Sequence, residues 1–375
     1  MVVVVSIGLA ACFGLSEADK RYNNGVNLLE EGRFEEAVAE FDQAILLDDS
    51  SAPAFHNRAL AKERTGRLPE AIEDYTRAIK LDPDLAVAYA NRGGAYTRLG
   101  DFQMALNDLD QSLRLDGKSV SAHTQRGLVL LNLGRPQEAL TSLDRAIELD
   151  PEFYPAYTNR GIAHTNLGEN QLALADYGRA IDLNPGYSLA YVNRGSAYDG
   201  LGRFEEAVSD YGSALLLSPG SSTLFSNRGA SYHAQGDLQR ALADFKQAVF
   251  LDPTLVPAWY NLGVVHEDLG ELDNAVIAYE QAIAIAPENI DALINRALVY
   301  SSLEKFGRAV ADLDRVVEID PNYAKAYVIR AYTYAKLGSE AQSQADVDRA
   351  VALGVDRAVA EMSAEINIPR PSPSP

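Results

Sequence analysis

A period of 34 residues constrains this chain more than any other feature of its sequence. Seven glycines keep that spacing: Gly66, Gly100, Gly134, Gly168, Gly202, Gly236 and Gly270. Six prolines keep it too: Pro151, Pro185, Pro219, Pro253, Pro287 and Pro321. A spacing repeated this often indicates stacked copies of one supersecondary unit and not separate globular domains. In this register ten repeats run without a gap over residues 18–357.

The residue types inside each repeat predict two helices that pack closely. We number positions 1 to 34 from Ala18; position 8 is Gly in seven repeats and position 20 is Ala in nine. A glycine inside a helix costs about 1 kcal/mol relative to alanine, so seven of them indicate a close helix approach. Aromatic residues are frequent at positions 4 and 24, on the same helical faces as the small residues. Glycine at position 15 and proline at position 32 end the first and second helix.

The unit resembles the tetratricopeptide repeat in its length and at its signature positions. The eighth repeat shows the signature best, with Trp259, Leu262, Gly263, His266, Ala275, Tyr279 and Pro287. The resemblance covers residues 18–357. It implies an all-α fold, a right-handed superhelical solenoid of helix-turn-helix repeats whose concave groove is lined mainly by the first helix of each pair.

The end of the chain departs from the repeat. A stack of repeats needs a terminal cap, because no repeat buries both of its faces alone. The sequence predicts a capping helix over residues 358–368, with Val359, Met362 and Ile366 on one face. Residues 369–375 are rich in Pro and Ser, too poor in apolar residues to fold, and are predicted to be disordered.

Residues 1–17 differ from the repeats. Residues 2–11 form an apolar run that is too short to span a bilayer as a helix. Residues 9–12 read Leu-Ala-Ala-Cys and resemble the bacterial lipobox, whose cysteine becomes lipidated, but no Lys or Arg precedes the run. Two interpretations stay open. Either Cys12 anchors the protein to a membrane of the cell envelope, or the cysteine is incidental and the protein is cytoplasmic.

Composition and motifs argue against catalysis. Lys and Arg total 33 against 53 Asp and Glu, a net charge of −20, which repels nucleic acid and favours a neutral or basic protein partner. No two of the five histidines have metal-ligand spacing on one helix, and no phosphate-binding loop or nucleophile motif occurs. His123, His164 and His266 stand where other repeats carry packed aromatic residues. We therefore expect no enzymatic activity, no cofactor and no metal.

Asparagine dominates position 6, although it is a mediocre helix former. The predicted peptide-binding residues are Asn57, Asn91, Gln125, Asn159, Asn193, Asn227, Asn261 and Asn295; Asn23 and Ile329 hold this position in the end repeats. A row of amides offers donors and acceptors to the backbone of an extended peptide. It resembles the asparagine-lined superhelix of O-linked N-acetylglucosamine transferase. The alternative is that each amide bonds the neighbouring repeat and fixes the stacking.

Two further patterns concern charge. Position 7 is Arg in eight repeats and position 23 is Asp in seven, and seven repeats have both, so we predict a half-buried ion pair between helices. Repeat four keeps Arg126 but has Ser142, and repeat eight has neither charge. Positions 2, 5, 9, 12 and 13 are the other predicted groove positions, with Tyr22, His56, Arg64, Thr97, Arg98, Thr165, Asp199, Tyr260, Glu267 and Asp268. Of these only Arg64 and Arg98 approach the family's carboxylate clamp, which disfavours binding of a free C-terminal carboxylate.

The sequence therefore predicts a non-catalytic scaffold that binds an extended protein segment in its groove. Two alternatives remain. One is a structural scaffold that self-associates. The other is a regulatory subunit whose catalytic part is another chain.

Overall fold

The computed structural model describes residues 15–365, and every element found there is helical. The chain forms two compact units, the first ending at Ala197 and the second beginning at Tyr198. The predictions for Cys12, for residues 366–368 and for the tail 369–375 lie outside the described residues.

Helices α1 to α11 follow one another with short connections. Their bounds are α1 Glu17–Glu30, α2 Phe34–Leu47, α3 Ala52–Arg64, α4 Leu68–Leu81, α5 Ala86–Leu99, α6 Phe102–Leu115, α7 Val120–Asn132, α8 Pro136–Leu149, α9 Tyr154–Asn166, α10 Asn170–Leu183 and α11 Ser188–Gly200.

Helices α12 to α21 continue the same alternation. Their bounds are α12 Phe204–Leu217, α13 Ser222–Ala234, α14 Leu238–Leu251, α15 Val256–Asp268, α16 Leu272–Ile285, α17 Ile290–Ser302, α18 Phe306–Ile319, α19 Ala324–Lys336, α20 Glu340–Ala352 and α21 Arg357–Glu365.

The helices pair and stack as the period predicts. Within each unit, the two helices of a repeat pack against each other, and the second helix also packs against the first helix of the next repeat. From the second repeat to the tenth, each first helix begins at the residue that opens the repeat. The structure confirms the prediction of an all-α stack of tandem helix pairs.

The glycines at position 8 are explained by the large residues at position 24, which are aromatic in most repeats and leucine opposite Gly93 and Gly127. A Cβ atom added at Gly161 would lie 2.5 Å from the ring of Tyr177, and one added at Gly263 would lie 2.5 Å from the ring of Tyr279. Both distances are below any ordinary van der Waals contact. The predicted close approach between the two helices is therefore confirmed, and it buries Tyr177 and Tyr279 almost completely.

The turn between the two helices needs a left-handed residue. Gly100 has φ 84° there, and the other glycines at position 15 are also left-handed. Repeat nine has Glu304 at this position with φ 58°, the one non-glycine residue with positive φ in the described part of the protein. Repeat nine thus accepts a strained residue where nine repeats have glycine.

Helix α21 covers the end of the last repeat. It packs against α19 and α20, and Ala360 is buried beside Ala331 and Val347. Val359, on the apolar face of the predicted capping helix, is 53% exposed. A small residue faces the stack here, because only a short side chain lets α21 approach α19 closely.

Candidate peptide-binding surface

The surface formed by the first helices is the candidate binding surface. In each unit, successive first helices contact each other, whereas second helices mainly contact first helices. The side on which neighbouring helices are closest is the inner side of the stack. Positions 5 and 6 lie on this side, where one first helix meets the next.

Three amides of the asparagine row are bonded to the preceding repeat. Asn57 Nδ2 donates to Tyr22 Oη at 2.9 Å, and both residues are buried. Asn295 Nδ2 donates to Tyr260 Oη at 3.0 Å. Asn91 Nδ2 lies 3.4 Å from His56 Nε2. For these three residues the structure shows the stacking role that the alternative interpretation expects.

The partner in all three cases stands at position 5 of the preceding repeat, 35 residues earlier. Tyr and His reach across the gap between the helices and accept the amide hydrogen. Thr158, which precedes Asn193, and Ser226, which precedes Asn261, are shorter and buried. The residue at position 5 therefore decides whether the following asparagine is bonded.

Other asparagines of the row keep their hydrogen-bonding groups open. Asn159, Asn227 and Asn261 are partly exposed, and their side chains make no hydrogen bond within residues 15–365. Gln125 Oε1 and Asn193 Nδ2 are buried and have no partner in the same part of the protein. Whether any of the eight predicted residues binds a peptide stays a prediction.

Position 12 has a structural role that the sequence analysis missed. Tyr75 Oη lies 3.0 Å from Glu63, Tyr211 Oη lies 2.9 Å from Asp199 and Tyr279 Oη lies 3.0 Å from Glu267. Thr165 Oγ1 lies 3.1 Å from Tyr177 Oη in the same way. The signal was in the sequence, because each repeat with Tyr at position 24 has Glu, Asp or Thr at position 12.

These tyrosine bonds occupy carboxylate oxygens that would otherwise be open to a ligand. Burial raises the pKa of Asp199, which also accepts a hydrogen bond from Ser231 Oγ at 2.7 Å. Arg98 forms an ion pair with Glu63 at 2.7 Å. One of the two arginines that approach the family's carboxylate clamp is therefore already paired within the stack. His233 Nε2 lies 2.7 Å from Asp268. Several predicted groove residues are thus committed to contacts inside the stack.

The predicted pairs between positions 7 and 23 are confirmed. Each arginine binds both carboxylate oxygens of the aspartate at distances of 2.6–2.9 Å. The pairs are Arg58–Asp74, Arg92–Asp108, Arg160–Asp176, Arg228–Asp244, Arg296–Asp312 and Arg330–Asp346. The aspartates are buried, and the hydrogen bonds donated to Asp176 raise the pKa of Arg160.

Three of these arginines also bind an aspartate of the preceding repeat. Arg58 Nη1 binds Asp42 at 2.6 Å, Arg160 Nη1 binds Asp144 at 2.8 Å and Arg330 Nη1 binds Asp314 at 2.7 Å. Asp at position 25 was the signal for this contact, and the sequence analysis did not use it. Arg58, Arg160 and Arg330 therefore each connect three helices and act in stacking.

The described residues show no sign of metal or membrane insertion. No group of three His, Cys, Asp or Glu side chains among residues 15–365 is arranged to hold a metal ion. His266 is buried and its Nδ1 lies 2.7 Å from Glu271, which fits the packing role predicted for it. None of the described helices combines the length and the apolarity that a membrane crossing requires.

Comparison with protein families settles the relationship. Models described as tetratricopeptide repeat match residues 86–119, 120–153, 154–187, 189–221, 226–290 and 290–323, and a model described as TPR repeat matches residues 64–100. The chain belongs to the tetratricopeptide repeat family. The resemblance at the signature positions is thereby confirmed.

Solved structures of tetratricopeptide repeat proteins share the fold. A tetratricopeptide repeat protein from Parabacteroides merdae is 22% identical with a TM-score of 0.55, over 66% of this chain and 98% of that chain. PilW, a type IV pilus biogenesis factor, is 21% identical with a TM-score of 0.52, over 57% of this chain and 97% of that chain. The comparison with curated protein sequences gives no match.

Proposed function

We propose that this tetratricopeptide repeat protein is a non-catalytic scaffold that binds extended protein segments on the first-helix surface of its units. One observation carries the proposal. Asn159, Asn227 and Asn261 are partly exposed and have no hydrogen-bond partner among the described residues. Asparagine is unfavourable inside a helix, and here no bond within the stack compensates for it.

The chemistry of the amide suits a peptide backbone. An asparagine side chain donates through Nδ2 and accepts through Oδ1, so it pairs with a backbone carbonyl and a backbone N–H without regard to the peptide's side chains. Such bonds would supply generic affinity, and the variable residues around them the selectivity. The net charge of −20 favours neutral or basic segments over acidic ones.

Two matched triple variants test the proposal. One changes the open amides Asn159, Asn227 and Asn261 to Ala, and the other changes the bonded amides Asn57, Asn91 and Asn295 to Ala. Peptides selected from a random displayed library on the wild-type protein are measured by fluorescence anisotropy. We expect the first variant to bind a segment on the second unit, which loses two amides, about 30-fold more weakly, and a segment on the first unit, which loses one, about fivefold more weakly, because each lost hydrogen bond contributes about 1 kcal/mol. We expect the second variant to unfold at a lower temperature than wild type. At temperatures below its unfolding transition it should keep the wild-type affinity for the peptide.

Circular dichroism of both variants excludes a general loss of helix. Equal peptide affinity in wild type and in the open-amide variant would show that the amides do not bind the ligand. If no peptide is selected and the protein is a stable oligomer by light scattering, the self-associating scaffold replaces the binding scaffold.

We also propose, from residues 9–12 alone, that Cys12 is lipidated and holds the protein on a membrane of the cell envelope. Only residues 13–17 separate this cysteine from the first repeat, so the first unit would lie close to the membrane surface. Membrane fractions from cells expressing wild type and Cys12→Ser test this. A wild-type protein found only in the soluble fraction refutes the anchor.

A further inference from the structure

A cleft in repeat four lies apart from the first-helix surface. It has a volume of about 680 Å³ and opens between α6 and α8, above α7. Residues from all three helices line it: Asp110, Leu113, Arg114, His123, Arg126, Thr141, Ser142, Asp144, Arg145 and Glu148. Charged groups of both signs face the space, beside Leu113 and the apolar stems of the long side chains.

Two residues that line this cleft are smaller than their counterparts in repeat five. At position 4, where repeat five has Tyr157, repeat four has His123, whose Nε2 lies 3.2 Å from the backbone oxygen of Gly117. At position 23, where repeat five has Asp176, repeat four has Ser142. Each change removes atoms that the neighbouring repeat uses to fill the same place.

The missing aspartate leaves Arg126 incompletely paired. Its Nε donates to Asp110 at 2.6 Å and its Nη1 to Ser142 Oγ at 2.6 Å, while Nη2 has no partner within the described residues. In the six repeats with a described pair, Nε and Nη2 together hold both oxygens of one buried carboxylate. In repeat four, Nε and Nη2 of the arginine therefore do not bind one carboxylate together, although their planar geometry matches that group.

Repeat eight provides a comparison for the pairing of Arg126. Repeat eight also lacks the aspartate, but there the arginine is gone as well, replaced by Leu262 opposite Ala278. Loss of both charges avoids a buried cation without its partner. Repeat four keeps the arginine but not the aspartate of position 23, so Arg126 is held by Asp110 of the preceding repeat and by the hydroxyl of Ser142.

The other charges of the cleft are already balanced. Asp110 is paired with Arg126, Asp144 with Arg160 and Glu148 with Arg145. Arg114 is the exception, because it binds only Gln111 Oε1 among the described residues. The cleft thus offers one open guanidinium at its rim and one incompletely paired guanidinium beside Ser142.

We propose that this cleft binds a carboxylate group, which takes the place of the aspartate that other repeats carry at position 23. The carboxylate comes either from a small carboxylic acid or from an acidic side chain of a partner protein. A phosphate fits less well, because its second charge would face Asp110, Asp144 and Glu148. This site is independent of the peptide-binding surface, since it lies between second helices.

Isothermal titration calorimetry at constant ionic strength tests the site with two probes, succinate and an acetylated, amidated hexaglutamate peptide. Ser142→Asp restores the internal carboxylate and should weaken binding about tenfold or more, the effect of one charge-assisted hydrogen-bond pair. Gln137→Glu adds the same charge on the exposed face of α8, away from the cleft lining, and should bind as wild type does. Arg126→Gln is a second variant expected to lose binding if Ser142→Asp does not fold.

Each outcome of the titrations either supports or contradicts carboxylate binding in the cleft. Binding of succinate that Ser142→Asp abolishes supports a small-molecule carboxylate, and binding of hexaglutamate alone supports an acidic protein segment. Absence of binding by both probes, or equal binding by wild type and Ser142→Asp, overturns the proposal.

Discussion

Repeats two and five have the same asparagine at position 6 in different situations. In repeat two, Asn57 is buried and bonded to Tyr22 of the preceding repeat. In repeat five, Asn159 is partly exposed, makes no side-chain hydrogen bond with any described residue, and follows Thr124 in the preceding repeat. The same residue type thus closes a contact between two repeats in one place and leaves an open amide in the other.

The two repeats share the Arg–Asp pair, although in repeat two Asp74 also binds Lys62 Nζ at 2.8 Å. Arg58 holds Asp74, and Arg160 holds Asp176, with almost the same distances. The ion pair depends on two residues of one repeat, whereas the asparagine bond depends on a residue of the preceding one. In a stack, a position therefore keeps its role only where its neighbour also keeps its residue.

Removal of the ion pair should give the largest effect in both repeats. Asp74→Ala and Asp176→Ala each leave a half-buried guanidinium with half of its partners. We expect each to lower the free energy of unfolding by about 2 kcal/mol, less than for a fully buried pair because Asp42 and Asp144 still hold the arginines. Urea unfolding followed by circular dichroism measures this.

Ser142→Ala is the control for this prediction. Repeat four lacks the aspartate already, so this change removes only one hydroxyl and should cost much less than either aspartate change. A large loss for Ser142→Ala, or a negligible loss for Asp176→Ala, would contradict the stacking role of the pair.

The next prediction is a loss of stability that differs between repeats two and five. Asn57→Ala removes a buried hydrogen bond to Tyr22 and should lower stability by about 1.5 kcal/mol. Asn159→Ala removes no bond among the described residues and improves helix propensity, so stability should change by less than about 0.5 kcal/mol. Thermal and urea unfolding compare the two. Combining Asn57→Ala with Tyr22→Phe should cost less than the sum of the single changes, because both remove the same bond.

The ion pairs could be predicted from the sequence alone, whereas the bonding of each asparagine could not. The period, the glycines opposite aromatic rings and the Arg–Asp pairs were predictable, because ten copies of one unit show the same complementary residues. The state of each asparagine was not, because it depends on a pair 35 residues apart that only two or three repeats contain. Tyr22, His56 and Tyr260 were assigned to the groove, although they accept hydrogen bonds from the next repeat.

The cleft of repeat four was hidden for a related reason. The sequence shows that Ser142 breaks the Arg–Asp pattern, and that His123 replaces an aromatic residue. Nothing in the sequence shows that both positions face one space between α6 and α8. Two deviations from the repeat pattern indicate a site only when the fold places their side chains next to each other.

The last effect concerns position 12; it is smallest near neutral pH and grows only at high pH. Tyr75 is bonded to Glu63 in repeat two, and Tyr177 to Thr165 in repeat five. Burial raises the pKa of both tyrosines, and the carboxylate of Glu63 raises that of Tyr75 further, whereas the hydrogen bond with Thr165 lowers that of Tyr177.

The direction of the pH effect follows from these shifts. Above about pH 10 an unfolded tyrosine loses its proton while the folded one keeps it, so the folded state binds more protons and stability falls as pH rises. Each tyrosine contributes at most about 1.4 kcal/mol per pH unit, and its contribution stops at its folded-state pKa. We therefore expect the pH-dependent difference between wild type and Tyr177→Phe to level off at a lower pH than that for Tyr75→Phe. Urea unfolding at intervals from pH 9 to pH 12 measures both differences. If the two variants level off at the same pH, Glu63 does not act on Tyr75 as a charge, and position 12 is equivalent in the two repeats.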